Sequence, residues 1–417
     1  MARITNQIIR AVTTHAIMSR GLVNAMGTTG NLSAALRRNE VMTILLKRRI
    51  SRVSHSPQDI QQIKGMTLSV VERLRVKHGQ YGQYHYSNSS KIPTLYASIY
   101  ACLVRQLYGD LDQLTETQRR DWIEYINRHQ DGDGLFKDPN VQNSLADSVD
   151  WWGWRHLTLH VIMALTALRT VPRNRLRFLR EFGDEQYAVK WLKTRDWSSN
   201  IANVSNEIQN YTALLQYARD FQNEQWAASA CKTLLNELSK MQDPVTGLWG
   251  GRVTDAAQLS NAVQAGYHFW LLFFYDHIRI GNYEKVVESC LRTQNMLGGF
   301  SPFHNSSACE DIDSIDPLVR LYFAPSSRND EIKKAMRRAL PWILLNMNSD
   351  GGFVFRRYEP LIYGNENLYS GINETALFPT WFRSLSLALI NNVLRDAFKG
   401  QVEWGFIDAP GYQFWRA

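Results

Sequence analysis

The chain has 417 residues, of which 44% are hydrophobic and 12% aromatic, and this composition supports a large core and excludes disorder as the main state. Four widely spaced cysteines without a CxxC pair argue against a disulfide scaffold, and no apolar run reaches the length of a membrane span. We therefore expect a cytoplasmic protein, and no motif calls for a metal ion or a cofactor.

The net charge of +8 is concentrated at the start of the chain. Residues 1–60 carry nine Lys or Arg against two acidic residues, and the rest is nearly neutral. A nucleic-acid enzyme usually carries its positive charge around its site, so we expect no nucleic-acid partner. We interpret residues 1–60 as a basic amphipathic helical segment and residues 61–417 as one domain. The segment is either a cap on that domain or an interfacial helix that contacts an anionic membrane surface.

From residue 66 onward, a polar or glycine-rich turn followed by an aromatic residue recurs at nearly constant spacing. The intervals are 51 to 61 residues, and the aromatic residues are Tyr84, Phe136, Trp197, Trp249, Phe300 and Phe353. Amphipathic helical patterns such as Tyr187–Lys193 alternate with almost wholly apolar ones such as Ala262–Phe274. A constant period indicates equal supersecondary units, and six helical pairs bury their apolar members by closing a ring. The sequence predicts an all-α (α/α)6 toroid.

The fifth unit contains four acidic residues within seven positions: Glu310, Asp311, Asp313 and Asp316. We expect Asp316 to cap an inner helix whose first residue is Pro317. Protonation of a neutral substrate requires an undissociated acid, and burial beside like charges keeps one member of such a cluster protonated. The cluster therefore predicts general-acid chemistry.

Three turns have a glutamine several residues before the aromatic residue, as in Gln130 before Phe136 and Gln294 before Phe300. Over roughly residues 66–395 this form resembles the QW motifs of squalene-hopene and oxidosqualene cyclases. In class II terpene cyclases a DxDD motif follows such a turn, and Asp311, Asp313 and Ser314 align with its first, middle and last acids. The resemblance implies that Asp313 is the proton donor. It also implies that Asp311, Glu310 and Asp316 tune its acidity and that Ser314 is a hydrogen-bond partner.

A single toroid resembles the single-domain meroterpenoid cyclases of the merosterolic acid synthase type. This resemblance implies an isomerase-like cyclisation of a hydrophobic isoprenoid, a geranylgeranylated hydroxybenzoate, without a cofactor. Aromatic faces would stabilise the carbocation, and the candidates are Trp151, Trp152, Trp154, Tyr211, Tyr267, Phe269, Trp270, Tyr363, Tyr369, Trp381 and Phe382. Arg356, Arg357 or Arg383 would meet a carboxylate on the head group.

Other interpretations of the same residues remain open. A carbohydrate-active hydrolase or lyase on an (α/α)6 barrel would pair Asp313 with Glu207, Glu366 or Glu374. A lipid-binding toroid without catalysis is a third interpretation. His156 and His160, spaced i, i+4, are either core residues or metal ligands, and each aromatic candidate also suits core packing.

Overall fold

Two kinds of helix alternate along the chain, and their composition decides the layer that each occupies. The computed structural model describes residue 40 and residues 42–53, 57–198, 200–324 and 327–416. Helices with one apolar stripe form an outer layer, and these are α1 (Ile60–Arg73), α3 (Glu116–Asn127), α6 (Glu185–Lys193), α8 (Gln225–Met241), α10 (Tyr283–Arg292) and α12 (Asn329–Leu345). Between α3 and the next inner helix lies a short helix, α4 (Ser144–Ser148).

The inner layer consists of helices that are buried nearly all round. These helices are α2 (Leu95–Leu107), α5 (Trp154–Ala167), α7 (Ile201–Gln222), α9 (Ala256–Tyr275), α11 (Ala308–Tyr322) and α13 (Leu377–Val393). Each inner helix packs against the next one in this order, and α13 packs against α2. The ring is therefore closed, and the predicted all-α (α/α)6 toroid is confirmed.

The recurring turns join each outer helix to the inner helix that follows it. At the fifth turn, the Gln294 side-chain amide donates to the Gly298 carbonyl at 3.0 Å and to the Ala335 carbonyl of α12 at 2.9 Å. Gly298 has a φ of +99°, and the Arg338 carbonyl occupies the place that a Cβ atom would take. The glutamine and the glycine thus fasten one repeat to the next, which explains why both recur.

Short strands complete the fold. The strands β1 (Gln58–Asp59) and β4 (Phe398–Lys399) pair in parallel, and β2 (Leu361–Ile362) pairs with β3 (Tyr369–Ser370) in antiparallel register. In the described residues, no helix is long and apolar enough to cross a membrane.

The chain divides into two compact units, Met1–Arg48 and Arg49–Ala417. In the first unit the structure describes residue 40 and residues 42–48, which are helical. Most of the predicted basic segment lies outside the described residues. Its boundary at residue 60 and its role as a cap or a membrane-contacting helix stay predictions.

Residues 404–416, which we call the C-terminal segment, cross the ring at the end where the inner helices finish. The backbone N–H of Gly405 donates to the Leu107 carbonyl of α2 at 2.8 Å. Arg320 of α11 donates to the Phe414 carbonyl at 2.7 Å, and Arg416 donates to the carbonyl of Tyr275, the last residue of α9, at 2.9 Å. The segment therefore closes this end of the ring.

Candidate active site at the centre of the ring

The acidic stretch lies on α11, and this helix begins earlier than the sequence predicted. Ser307 is the N-cap, and its hydroxyl accepts a 3.1 Å hydrogen bond from the Glu310 backbone N–H. The Glu310 carboxylate accepts in return from the Ser307 backbone N–H at 2.7 Å. This capping box makes the prediction of Asp316 as the N-cap wrong, although its Ser-x-x-Glu signature was present in the sequence.

Pro317 lies inside α11 instead of at its start. Proline has no backbone N–H, so the carbonyl four residues earlier, that of Asp313, lacks its helical hydrogen bond. The helix is thus interrupted at the residue that the sequence selected as the acid.

Asp311 is the most heavily hydrogen-bonded member of the cluster. Its carboxylate accepts from the Phe300 backbone N–H at 2.8 Å, the Ser306 hydroxyl at 2.7 Å and the Trp342 indole at 2.9 Å. It also forms an ion pair with Arg383, whose side chain is fully buried. This carboxylate therefore holds the turn, an outer helix and α13 together, and no lone pair is left for a substrate.

Two further acids of the cluster are also paired with arginine. Asp316 contacts Arg320 at 2.5 Å, and Glu310 contacts Arg356 at 2.8 Å. Arg356 and Arg383, which the sequence offered for a substrate carboxylate, are therefore engaged by acids of the protein itself.

Asp313 differs from its neighbours because it has no cationic partner among the described residues. It is 4% exposed, and no hydrogen bond joins its carboxyl group to another described residue. Burial raises the pKa of Asp313 well above its usual range, and the charges of Glu310, Asp311 and Asp316 raise it further. The structure thus holds an undissociated carboxylic acid, which can donate a proton at neutral pH.

Glu310 lies one helical turn before Asp313 and shows the opposite shift. Burial acts to raise the pKa of Glu310, but the Arg356 charge and hydrogen bonds from Arg356, Ser307 and Ser301 outweigh it and lower the pKa. One carboxyl group of the pair is therefore neutral and the other is ionised. Environments that separate two pKa values in this way are typical of an acid and base pair.

Three side chains, among them Cys309, whose pKa is raised in part by the charge of Asp313, line an internal space. Cys309, His268 and Tyr363 each retain accessible surface. Burial nevertheless raises the pKa values of Cys309 and Tyr363 and lowers that of His268 to about 3. The accessible surface of these groups therefore faces an interior space, which we call the chamber.

Tyr412 of the C-terminal segment lies at the centre of the ring. Its hydroxyl donates a 2.8 Å hydrogen bond to the Gln209 side-chain carbonyl of α7. Its ring stacks on His160 of α5 at 5.3 Å and meets Trp381 of α13 edge-on at 5.9 Å. Burial raises the pKa of Tyr412, and the charge of Asp313 contributes. Tyr412 therefore packs into the centre of the ring and links the C-terminal segment to α5, α7 and α13.

Aromatic side chains from α2, α13 and the loop that contains β2 and β3 pack into one buried cluster. Tyr100 stacks on Trp381 at 5.5 Å, and Tyr363 lies 4.3 Å from Phe378 between ring centroids. The other contributors are Tyr96, Trp152 and Phe382. Tyr363 is the member of this cluster that retains accessible surface on the chamber.

Polar side chains from α5, α7 and α9 accompany this cluster. The His160 ring of α5 lies 5.6 Å from both Tyr100 and Trp381. Burial lowers the pKa of His160 to about 4 and that of His268, on α9, to about 3. The side-chain amide nitrogen of Gln209 and the hydroxyl of Thr212 on α7 are buried without a partner among the described residues, which is costly in a folded protein.

The structure brings only some of the predicted aromatic residues together. Trp152, Tyr267, Tyr363, Trp381 and Phe382 contact one another or Tyr412. The other predicted aromatic residues lie between the layers or outside the chamber. Phe269 and Trp270 contact Trp249, the Tyr211 hydroxyl donates to Asp150, and the Trp154 indole donates to Asp147. The Tyr369 carbonyl accepts from the Ser87 hydroxyl, and Trp151 is half-buried just before α5. Ser314 contacts Thr293 at 3.2 Å.

Sequence reasoning missed Tyr412 and Gln209, and it assigned Arg383 to a substrate carboxylate instead of to Asp311. Tyr412 and Gln209 are 203 positions apart, and Arg383 is 72 positions from Asp311. The only signal for Arg383 was a charged residue in the middle of an apolar helix, and that signal was interpreted as a substrate contact.

The acids proposed as partners of Asp313 lie elsewhere. Glu207 pairs with Arg195 at 2.6 Å, and the charges acting on its pKa come from Arg195, Asp150 and Arg155. Glu374 accepts from backbone N–H groups at Ser89 and Gly371, and Glu366 is exposed.

In the part of the chain that the structure describes, no group of three or more His, Cys, Asp or Glu side chains is placed so that it could hold a metal ion. The His156 Nδ1 atom and the Tyr96 hydroxyl share a hydrogen bond of 2.9 Å. The His160 Nδ1 atom donates to the His156 carbonyl at 2.7 Å. Both histidines are therefore satisfied by the protein around them.

The fold and site together define an (α/α)6 toroid with a buried acid on an inner helix. No protein-family model matches the chain, and no curated protein sequence matches it. Among solved structures, a glycosyl hydrolase of family 88 from Bacteroides vulgatus is 11% identical over 81% of this chain and 99% of its own, with a TM-score of 0.46. Unsaturated glucuronyl hydrolase from Bacillus sp. GL1 is 10% identical over 80% and 96%, with a TM-score of 0.45. The GH76A α-1,6-mannanase from Salegentibacter sp. HEL1_6 is 10% identical over 80% and 99%, with a TM-score of 0.43.

These comparisons correct the resemblance to class II terpene cyclases, because the matched structures are named as carbohydrate-active enzymes. The predicted polyprenyl cyclisation, the isomerase-like activity and the isoprenoid partner are wrong. The motifs that carried the resemblance have structural roles. The glycine–aromatic turns connect neighbouring repeats, and Asp311 links the fifth turn to α13. Such motifs belong to the ring and do not specify one chemistry.

Proposed function

We propose that this chain is a carbohydrate-active enzyme, a glycoside hydrolase, with Asp313 as its general acid. The observation that carries the proposal is the neutral, unpaired carboxyl group of Asp313 inside the chamber. Glycoside hydrolysis needs such an acid to protonate the leaving oxygen, together with an ionised carboxylate. Glu310, one turn away and with a lowered pKa, supplies the second group.

The side chains that retain accessible surface support a sugar as the substrate class. A sugar ring has an apolar face of C–H groups and a rim of hydroxyl groups. The ring of Tyr363 suits the apolar face, and the imidazole of His268 suits the rim.

The pairing of the arginine side chains beside the acidic cluster favours glycosidic hydrolysis over the elimination reaction of a lyase. A lyase acting on an acidic sugar must neutralise the sugar carboxylate with a cation. The arginines beside the acidic cluster, Arg320, Arg356 and Arg383, are already paired with Asp316, Glu310 and Asp311.

In the proposed reaction, the Asp313 proton moves to the glycosidic oxygen as the C–O bond breaks. Water then bonds to the anomeric carbon and gives up a proton to Glu310, and the two carboxyl groups exchange that proton to restore the site.

The test is hydrolysis of neutral oligosaccharides by the purified protein, measured as new reducing ends. We expect Asp313→Asn to lower kcat by about 10²–10⁴-fold, the usual contribution of a general acid. Asp112→Asn is the matched control, because Asp112 is an exposed acid on the ring surface. Full activity in Asp313→Asn, or binding of sugars without turnover by the unmodified protein, would overturn the proposal.

A further inference from the structure

The His268 side chain of α9 forms a hydrogen bond with Ser205 of α7, and this bond fixes the position of the imidazole proton. The His268 Nδ1 atom lies 2.9 Å from the Ser205 hydroxyl oxygen. The same hydroxyl donates to the Ala202 carbonyl, also at 2.9 Å. A serine hydroxyl has one hydrogen, and that hydrogen is used on Ala202 because a carbonyl oxygen only accepts. The Ser205 oxygen therefore accepts from His268, whose proton lies on Nδ1.

The second ring nitrogen of His268, Nε2, is left as an acceptor. Burial lowers the pKa of His268 to about 3, so the imidazole is neutral at physiological pH. A neutral imidazole with its proton on Nδ1 has a lone pair and no hydrogen on Nε2. Among the described residues, the side chain of His268 forms its hydrogen bond with Ser205, and it keeps accessible surface on the chamber. Nε2 is therefore available to a donor from a ligand.

His268 borders the same space as Asp313, as the charges that act between the chamber residues show. The charge of His268 lowers the pKa of His156, and the His156 Nε2 atom lies 3.3 Å from the Tyr363 hydroxyl. The charge of Cys309 raises the pKa of Tyr363, and the charge of Asp313 raises that of Cys309. Helix α9 also packs directly against α11. The acceptor and the acid therefore face one chamber.

Two other roles for His268 do not fit these observations. A group with a pKa of about 3 is unprotonated at neutral pH and is too weak a base to take a proton from water. Within the described residues, His268 belongs to no group of three or more His, Cys, Asp or Glu side chains that could hold a metal ion. Acceptance of a hydrogen bond from a neutral donor is the chemistry that the geometry supports.

We propose that His268 contacts the substrate and accepts a hydrogen bond from one sugar hydroxyl, and that Ser205 is a positioning residue that sets the direction of this bond. The inference rests on the proposed function and adds the feature that the substrate must present. The sugar must carry a donor at that position. A substituent that cannot donate leaves the acceptor unpaired in the chamber, and such a site rejects the wrong substrate strongly.

Nuclear magnetic resonance tests the position of the proton without a substrate. In protein labelled with nitrogen-15 at histidine, the His268 signals are those lost in His268→Asn. We expect a protonated Nδ1 and an unprotonated Nε2 at neutral pH, and the reverse pattern would overturn the inference. In Ser205→Ala the preference for Nδ1 should be lost. Ser386→Ala is the matched control, because Ser386 is a buried serine of α13 whose hydroxyl also donates to a carbonyl.

Sugar analogues test the contact. In each analogue of a neutral oligosaccharide, one hydroxyl is replaced by hydrogen or by fluorine, which accepts but does not donate. Binding is measured to Asp313→Asn, so that an effect of fluorine on the reaction rate plays no part. We expect one position at which both replacements raise Kd by about 10–100-fold.

A second variant shows whether this position contacts His268. His268→Asn keeps an N–H group for Ser205 but has no acceptor in place of Nε2. Added to Asp313→Asn, it should weaken binding of the parent sugar by the same factor, and the two analogues should lose nothing further. His277→Asn is the matched control, because His277 is an exposed histidine just after α9.

The outcomes separate the inference from the proposed function. Fluoro analogues that bind as tightly as the parent sugar, at every position where the deoxy analogue binds weakly, overturn the inference and leave the function intact. Unchanged binding in the variant with His268→Asn does the same. A protein that neither binds nor cleaves any of these sugars overturns the function and the substrate contact together, whereas the resonance experiment tests the position of the proton in either case.

Discussion

Asp313 and Glu310 lie one turn apart on the same buried helix, and their pKa values are shifted in opposite directions. The difference comes from cations: Arg356 pairs with Glu310, whereas no arginine in the described part of the chain pairs with Asp313. The local sequence places the two acids on the same turn, and the tertiary structure decides which of them keeps its proton.

The first prediction concerns the pH dependence of activity. The rate should fall as pH rises through the pKa of Asp313, because the acid is then lost. It should also fall as pH drops through the lowered pKa of Glu310, because the base is then protonated. The measurement is kcat/KM against pH. In Glu310→Gln the acidic limb should disappear, and an unchanged profile would contradict the assignment.

The second prediction concerns stability against pH. A group whose pKa is raised on folding stabilises the protein fully below its unfolded pKa, and that stabilisation is lost as pH rises through the folded pKa. Asp313→Asn should therefore unfold at a higher temperature than the unmodified protein at pH 8, and the difference should shrink towards pH 4. Thermal unfolding across this range tests the sign. A variant that is less stable at pH 8 would show that the carboxyl group has a partner.

The third prediction concerns the buried ion pair of Asp311 and Arg383. Removal of one partner leaves the other charge buried and unpaired, so Asp311→Asn should lower the free energy of unfolding by about 3–5 kcal/mol. The measurement is urea denaturation. Asp112→Asn breaks an exposed pair with Arg169 and should cost at most about 1 kcal/mol. Equal losses for the two variants would rule out the structural role of Asp311.

The fourth prediction concerns the turn between α10 and α11. Gly298→Ala places a methyl group at a φ of +99° and against the Arg338 carbonyl, and it should cost at least about 1–2 kcal/mol. Gly132→Ala is the matched control, because a Cβ atom at Gly132 meets nothing within 4 Å. Both variants are compared by denaturant midpoint, and a loss of the same size at both positions would contradict the argument.

The fifth prediction concerns the cap of α11. Ser307→Ala removes the hydroxyl that accepts from the Glu310 backbone and should destabilise the protein by about 1 kcal/mol. Ser307→Asn restores an acceptor at the cap and should recover most of that loss. If Ser307→Asn were no better than Ser307→Ala, the hydroxyl would not be acting as a cap.

The sequence by itself determined the ring and the identity of its acidic helix. The spacing of the turns from Tyr84 to Phe353 and the contrast between amphipathic and apolar patterns can be read along the chain, because helical periodicity is a property of neighbouring residues. The tertiary structure alone decided the state of each acid and the shape of the chamber. The protonation of Asp313 depends on where Arg383, Arg356 and Arg320 lie, and the packing at the centre of the ring depends on Tyr412, whose hydroxyl bonds Gln209, 203 positions away. Burial and charge act through space, and residues far apart along the chain supply them.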